Sequence, residues 1–588
     1  MEAKKIQKIL IANRSEIACR VISACKILGI KTVAVYSEVD AKARHVRLAD
    51  EAVCIGAGPA AESYLDIKKL IKVAKETGAT AIHPGYGFLS ERSAFAKAVL
   101  DAGLIWIGPK PEVIDLMGSK IAAKKMAEKA KVPTLPWGLL SANSADSLDL
   151  SELKKAAAKI GFPLLLKASA GGGGRGMRVV NAESELEESA KSAMREAAAA
   201  FGSGEIFLES YKDKARHVEV QIMGDSHGQV FTFGERDCTA QRRHQKVLEE
   251  APAPKLSQKT KEALWSAARN LAKEVGYENA GTCEFLVADD EKFFFLEMNT
   301  RLQVEHPVTE LVWGIDLVEL QIKVAQGEKL PSELSSIQPR GHAIEARIYA
   351  ENPAKGFMPS PGKIKTLTYP SGPRIRVDFG YEVGDEVPIY YDAMIAKVIS
   401  WGMNREQAID GLIGAISEMQ LSGVAWNGLF LNDILGHKDF KDFSIYTKWI
   451  ETKLKDWKPS GNPPVSKSAA KVEVTATAAT SVISPWFFYG TGDGKIGNAS
   501  SDSENAYSSD HTYPQDLSGP LVAEHPGKVL KLKTKAGDKV ASGQVLVVCE
   551  SMKMEFNYSA PADAKVKAVH VKEGQVIPAG TMLIEWED

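Results

Sequence analysis

The feature that most constrains this chain is a repeat near its C-terminus. Val529, Gly537, Gly543 and Leu546 are matched by Val566, Gly574, Gly580 and Leu583, each 37 residues further on. A repeat of this kind predicts two similar β-halves. The connection between them holds Glu550-Ser551-Met552-Lys553-Met554-Glu555, flanked on both sides by runs rich in valine and leucine. A lysine at a hairpin tip is exposed and reachable, as a site of covalent attachment must be. The plain alternative is an ordinary turn lysine.

The repeat occupies a small part of 588 residues. A chain of that length exceeds one core, so three or four domains are expected. The net charge of −2 gives no reason to expect nucleic acid or an anionic membrane as a partner. No apolar run approaches the length of a membrane span. Met1-Glu2-Ala3-Lys4-Lys5 runs straight into the strand-like Ile6–Ala12, leaving no room for a signal or transit peptide. Cys19, Cys25, Cys54, Cys238, Cys283 and Cys549 show no CxxC pairing. They read as reduced thiols of a cytoplasmic protein.

Residues 1–115 alternate strand and helix patterns, with short apolar strands at Lys8–Ala12, Thr32–Tyr36, Ala81–His83 and Leu104–Ile107. This predicts a parallel sheet with helices on both faces. The turn from His83 to Ser90 reads equally as punctuation or as a ligand loop. Further on, Lys167-Ala168-Ser169-Ala170-Gly171-Gly172-Gly173-Gly174-Arg175-Gly176 follows an apolar strand. Consecutive glycines free the backbone to close its N–H groups over phosphate oxygens, with Lys167 adding a point charge. A merely flexible loop is the alternative. The pattern is neither a Walker A nor a Rossmann fingerprint. The stretch Arg236–Lys246 is dense in cations and amides, yet Glu235, Asp237, Glu249 and Glu250 surround it. A site for small anions fits better than a nucleic-acid patch. Glu284 and Glu297 lie on two strand-like runs that can pair as a hairpin. With Asn299 they offer hard oxygen ligands suited to magnesium held with nucleotide phosphates. Arg301-Leu302-Gln303-Val304-Glu305-His306 then packs a cation, an amide and a carboxylate together.

Residues 6 to about 450, from Ile11-Ala12-Asn13-Arg14 through Tyr390-Tyr391-Asp392, resemble the biotin carboxylase of biotin-dependent carboxylases, within the ATP-grasp superfamily. The segment from about Pro520 to Asp588 resembles a biotinyl carrier domain, with Lys553 on the biotinylated lysine. The resemblance implies an α/β multidomain protein. It comprises a doubly wound N-terminal subdomain (1–115), an ATP-grasp domain (116–335, lid about 139–211), a C-terminal α+β subdomain (336–455), a linker (456–516) and a small all-β, lipoyl-like biotinyl domain (517–588). It further implies that Lys120, Lys167, Gly173, Gly174, Glu209, His217, Gln241 and His244 serve ATP. Glu284, Glu297 and Asn299 would hold Mg2+ or Mn2+. Lys246, Arg301 and the backbone of Val304 would hold bicarbonate. Glu305 would take bicarbonate's proton. Arg347 would stabilise the charge that develops on the ureido oxygen of biotin. Ser210 and Lys212 depart from the usual adenine contacts. Ser15 and Ser551 depart where glycine and alanine are common, and Ala562-Asp563-Ala564 replaces a more glycine-rich turn.

Residues 458–515 are rich in proline, alanine, serine and threonine and read as a tether, broken by the aromatic run Trp486-Phe487-Phe488-Tyr489. About 60 coil residues span about 40–45 Å r.m.s.. The resemblance implies an acyl-CoA carboxylase α-subunit. Its partners would be a carboxyltransferase β-subunit, acyl-CoA through that subunit and a biotin protein ligase. Three alternatives stand beside it: a carrier or scaffold with an inactive ATP-grasp part, an α-chain serving a non-CoA acceptor such as pyruvate, and a lipoyl carrier fused to another ligase.

Overall fold

The computed structural model describes residues 5–142, 144–169, 177–459, 519–552 and 554–587. The first sheet is parallel. Its strands lie in the order Glu51–Gly56, Lys31–Ser37, Lys8–Ile11, Ala81–His83, Ile105–Trp106. Its central strand shows why both faces carry helices. Ile9 and Ile11 enter one core with Ile17 and Val21 of helix Ser15–Ile27, whereas Leu10 enters another with Leu70 and Phe95. Side chains alternate along a strand, so a strand apolar at every position must be covered twice.

A four-stranded antiparallel sheet follows, in the order Trp137–Leu139, Ile206–Ser210, Leu164–Ala168, Met177–Val180. Helices Leu150–Ile160 and Glu183–Phe201 accompany it, and their apolar residues share one core with the strands. The central feature is an eight-stranded antiparallel sheet. It runs Phe293–Asn299, Asn279–Val287, Arg216–Gly224, Val230–Arg242, Gln245–Ala251, His342–Tyr349, Met394–Gly402, Ile375–Phe379. The pairing of Gln245–Ala251 with His342–Tyr349 carries this sheet unbroken past residue 336.

A buried ion pair of the N-terminal unit reaches residues 381–391 of the chain. Arg14 donates through Nε and Nη2 to both Asp40 oxygens at 2.6 Å, and through Nη2 to Tyr381 Oη at 3.1 Å. Its guanidinium lies 4.3 Å from the Tyr391 ring centroid, and Tyr64 also donates to Asp40. Burial alone would raise the Asp40 carboxyl, but the Arg14 charge outweighs it and holds the pKa below the usual range. A depressed folded-state pKa gives stability that is present above the unfolded value and is lost as pH falls. Asp40→Ala leaves Arg14 buried without a counter-charge. The expected cost is about 3–5 kcal/mol, read as an earlier thermal transition at neutral pH whose gap from the parent narrows in acid. An unchanged transition would refute this account of the ion pair. Beside it, Ser15 sits at φ 58°, in the left-handed region that favours glycine.

The C-terminal unit bears out the repeat position by position. Its two four-stranded sheets contain the hairpin of Val545–Ser551 and Met554–Ser559. Val529, Val566, Leu546 and Leu583 are fully buried in its core. Gly537, Gly543, Gly574 and Gly580 all have φ between 79° and 90°, turn conformations closed to most L-residues. Lys553, Gly173, Gly174, Trp486–Tyr489 and the body of the linker lie outside the described residues.

Candidate functional site

The site is built on a row of charges that crosses the large sheet. Arg236 pairs with Glu219, Glu219 with Glu284, and Glu284 with Glu297, each directly across neighbouring strands. Residues opposite one another share a face, so four strands deliver four charged side chains to one place. The hairpin expected for Glu284 and Glu297 is present.

Lys246 stands over this row. Its Nζ donates to Glu305 at 2.6 Å, Glu219 at 2.8 Å and Glu284 at 3.1 Å. Glu305 is wholly buried and also accepts from Arg347 Nη2 at 3.0 Å. Arg347 Nε donates to Glu249 at 2.6 Å. Burial would push the Glu305 carboxyl up, but Lys246, Arg347 and Arg236 hold it well below the usual range. It is therefore a carboxylate at neutral pH. Glu249 moves the other way: burial raises it to about 7, against the pull of Arg347.

Arg301 is held from three sides. It donates to Glu91 at 2.9 Å, to Gln303 Oε1 at 2.7 Å and to Asn299 Oδ1 at 3.2 Å. Glu91 directly follows the turn His83–Ser90 that sequence alone left as punctuation or ligand loop. Asn13 fixes that turn by donating to the Pro84 and Tyr86 carbonyls at 2.7 and 2.8 Å.

At the phosphate end, Lys167 pairs with the buried Glu209 at 2.5 Å, and Lys124 pairs with the other oxygen of the same carboxylate. Lys120 opens helix Lys120–Lys129 and reaches the Ala168 carbonyl at 3.5 Å. Burial lowers its pKa. His217 Nε2 lies 2.8 Å from Glu284. Burial would lower this imidazole, but the Glu284 charge prevails and raises it. Gln241 lies opposite Lys246 across the strand pair, and His244 turns the hairpin between them at φ 65°.

The donor set suits a hard divalent cation. Burial and the neighbouring Glu284 charge raise the Glu297 carboxyl, a conflict that a cation between the two would relieve. Asn299 donates its amide N–H to Glu284 at 2.8 Å, and its Oδ1 accepts from Arg301 at 3.2 Å. His217, Glu219 and Glu284 also bring ligand atoms within 4.8 Å of one another.

Sequence reasoning passed over Glu91, Lys124, Glu219 and Cys238. Glu219 lies two residues beyond His217 and so on the same strand face, a signal that was available. Lys124 lies four residues beyond Lys120 on one helix face. Glu91 had no local signal. Cys238 Sγ lies 3.7 Å from Glu305, among charged neighbours that its spacing does not reveal.

The hairpin tip of the C-terminal unit touches this body. The Met552 N–H donates to the Ile389 carbonyl at 2.9 Å. Its side chain is 4% exposed and joins the core built on strands His342–Tyr349 and Met394–Gly402.

The chain matches families described as biotin carboxylase N-terminal domain over residues 5–114 and carbamoyl-phosphate synthase L chain ATP-binding domain over 119–333. It also matches biotin carboxylase C-terminal domain over 345–452 and biotin-requiring enzyme over 518–585. It is 39% identical to the mitochondrial methylcrotonoyl-CoA carboxylase subunit alpha of Dictyostelium discoideum, covering 98% of this chain and 95% of that one. It is 40% identical to the biotin-dependent acyl-coenzyme A carboxylase alpha3 subunit of Mycobacterium leprae, covering 99% of each. Among solved structures, the biotin carboxylase domain of the Hydrogenobacter thermophilus 2-oxoglutarate carboxylase, bound to MgADP, ADP and bicarbonate, superposes with a TM-score of 0.74 at 45% identity. That match covers 77% of this chain and 99% of the other. Among the described residues, no helix is long and apolar enough to cross a membrane.

Proposed function

The chain belongs to the biotin carboxylases, in the arrangement of acyl-CoA carboxylase α-subunits, and on that premise we propose how its residues share the work. The protein uses ATP and bicarbonate to carboxylate biotin carried on its own C-terminal domain. A separate carboxyltransferase β-subunit then passes the carboxyl group to an acyl-CoA. The observation that carries this reading is Glu305, a buried carboxylate held ionised between Lys246 and Arg347.

Lys120, Lys167 and the glycine loop at Gly173 and Gly174 hold the nucleotide phosphates, with Glu209 keeping Lys167 in place. His217, Gln241 and His244 line the same end. Glu284, Glu297 and Asn299 would hold Mg2+ or Mn2+, which would supply charge neutralisation for phosphoryl transfer. Lys246, Arg301 and the Val304 N–H bind bicarbonate, and Glu305 accepts its proton. Arg347 is placed to stabilise negative charge that arises only as the ureido ring reacts. Lys553 would hold biotin, attached by a biotin protein ligase, and the cofactor would supply the nitrogen that accepts the carboxyl group. The seat of Met552 on Ile389 supports loading of the carrier at this body. Free thiols at all six cysteines fit a reducing compartment such as the cytoplasm.

The test is ADP release by the purified full-length chain with free biotin. Release should depend on bicarbonate. A well-folded sample that releases none would leave the scaffold reading in its place. Intact mass separates biotin from lipoate on the carrier.

A further inference from the structure

Two buried groups with no role assigned above bind the backbone of the loop Arg301–Glu305. The His306 Nδ1 lies 2.7 Å from the Gln303 carbonyl. The Lys397 Nζ donates to the Val304 carbonyl at 2.8 Å. Both side chains are wholly buried, and they come from different elements, helix His306–Trp313 and strand Met394–Gly402.

The peptide plane gives this arrangement its consequence. The Gln303 carbonyl and the Val304 N–H belong to one trans peptide, so they point in opposite directions. Fixing that carbonyl toward the His306 ring fixes the N–H toward the other side. Lys397 secures the next peptide, so Val304 cannot rock about its own φ and ψ. The His306 Nδ1 carries the proton it donates to the Gln303 carbonyl; burial and the nearby Lys397 and Arg20 charges hold the ring pKa well below its usual range, and Nε2 lies 3.8 Å from Glu310 with no hydrogen-bond partner among the described residues.

Carboxylates face Lys397 from three elements, Glu345 from the neighbouring strand among them. Glu16 lies at 3.4 Å and Asp378 at 3.7 Å. Asp378 also binds Arg376 at 2.8 Å, and Arg376 reaches Glu310 at 2.7 Å. Glu310 in turn pairs with Arg20 at 2.9 Å. The loop's main chain is thus tied through a buried ion chain to helix Ser15–Ile27.

We propose that His306 and Lys397 are positioning residues that aim the Val304 N–H at bicarbonate, holding the two carbonyls that bracket it. This rests on the assignment of Val304 to the bicarbonate site. Neither side chain touches substrate in this account, and ATP should not sense them.

The experiment uses the full-length chain with free biotin, varying bicarbonate and ATP separately. His306→Asn keeps a donor near the Nδ1 position. His306→Gln carries its amide further out, near Nε2, with similar polarity and size. His306→Gln should raise the KM for bicarbonate about tenfold, the scale of losing one hydrogen bond to a charged ligand. Its KM for ATP should stay within twofold, and His306→Asn should stay within about threefold of the parent for both. Equal bicarbonate KM values in the two variants would overturn the proposal, as would a rise shared equally by ATP. Lys397→Met should show the same selective rise if it folds. Because the Asn and Gln variants both retain a polar side chain and the Lys397 ion pairs, their comparison decides even where Lys397→Met does not fold. A parent chain whose ADP release ignores bicarbonate would overturn the assignment of the site itself, and this proposal with it. An active parent with an indifferent His306→Gln overturns the positioning role alone.

Discussion

Lys553→Arg is expected to abolish carboxylation of acyl-CoA altogether while leaving bicarbonate-dependent ADP release with free biotin at the parental rate. Arginine keeps the positive charge but is a planar, always protonated guanidinium. It lacks the amine that forms the amide to biotin. Lys246, Arg301, Glu305 and Arg347 all lie before residue 455, so chemistry on a free acceptor keeps every residue assigned to it. Intact mass reports attachment, and a coupled assay with the native β-subunit reports transfer. Residual acyl-CoA carboxylation by this variant would show that Lys553 is not the carrying residue. Repeating the assay across several acyl-CoAs with the co-purified partner identifies the acceptor.

Glu305→Gln should lower bicarbonate-dependent turnover with free biotin by about 10²–10⁴-fold, the usual contribution of a positioned general base. Glutamine preserves size and one hydrogen-bond acceptor but cannot take a proton. The fold should survive, because Lys246 keeps Glu219 and Glu284, and Arg347 keeps Glu249. The pH dependence carries a second test. The Glu305 pKa is depressed by Lys246, Arg347 and Arg236, so the carboxylate is the populated form throughout the neutral range. Protonation at lower pH removes the base. With rates corrected for the loss of bicarbonate to carbonic acid and CO2 in acid, the part of the acid limb owed to Glu305 should therefore lie below the ordinary glutamate range, and Glu305→Gln should remove it. A variant within threefold of the parent would remove Glu305 from the proton transfer.

Much of this architecture was legible from local sequence. The 37-residue repeat placed valine and leucine in the core and glycine in the turns, because burial and backbone freedom are properties of single positions. The alternating strands and helices of residues 1–115 gave a sheet covered on both faces, since Ile9, Leu10 and Ile11 leave no polar side to expose. The pairing of Glu284 with Glu297 was readable from two strand-like runs separated by a short turn. The motifs around Arg301 and Arg347 carried the resemblance because they are contiguous.

Other features needed the folded chain. Glu91 is separated from Arg301 by 210 positions, and only the Asn13-fixed turn brings them together. Glu209, expected at the nucleotide site, is paired in the fold with Lys124 and Lys167, and only folding brings those two lysines to its two oxygens. Lys397 reaches Val304 from a strand 93 positions away.

The sequence by itself determined which chemical groups this protein owns: a lysine for attachment, a glycine loop, paired carboxylates, and a cluster of cations in contiguous motifs. Only the tertiary structure decided their charge states and aims. Whether Glu305 is a carboxylate depends on three cations drawn from three strands, and where the Val304 N–H points depends on two buried side chains behind it. Electrostatic energy and hydrogen-bond direction fall off over a few ångströms of space, and distance along the chain does not measure that space.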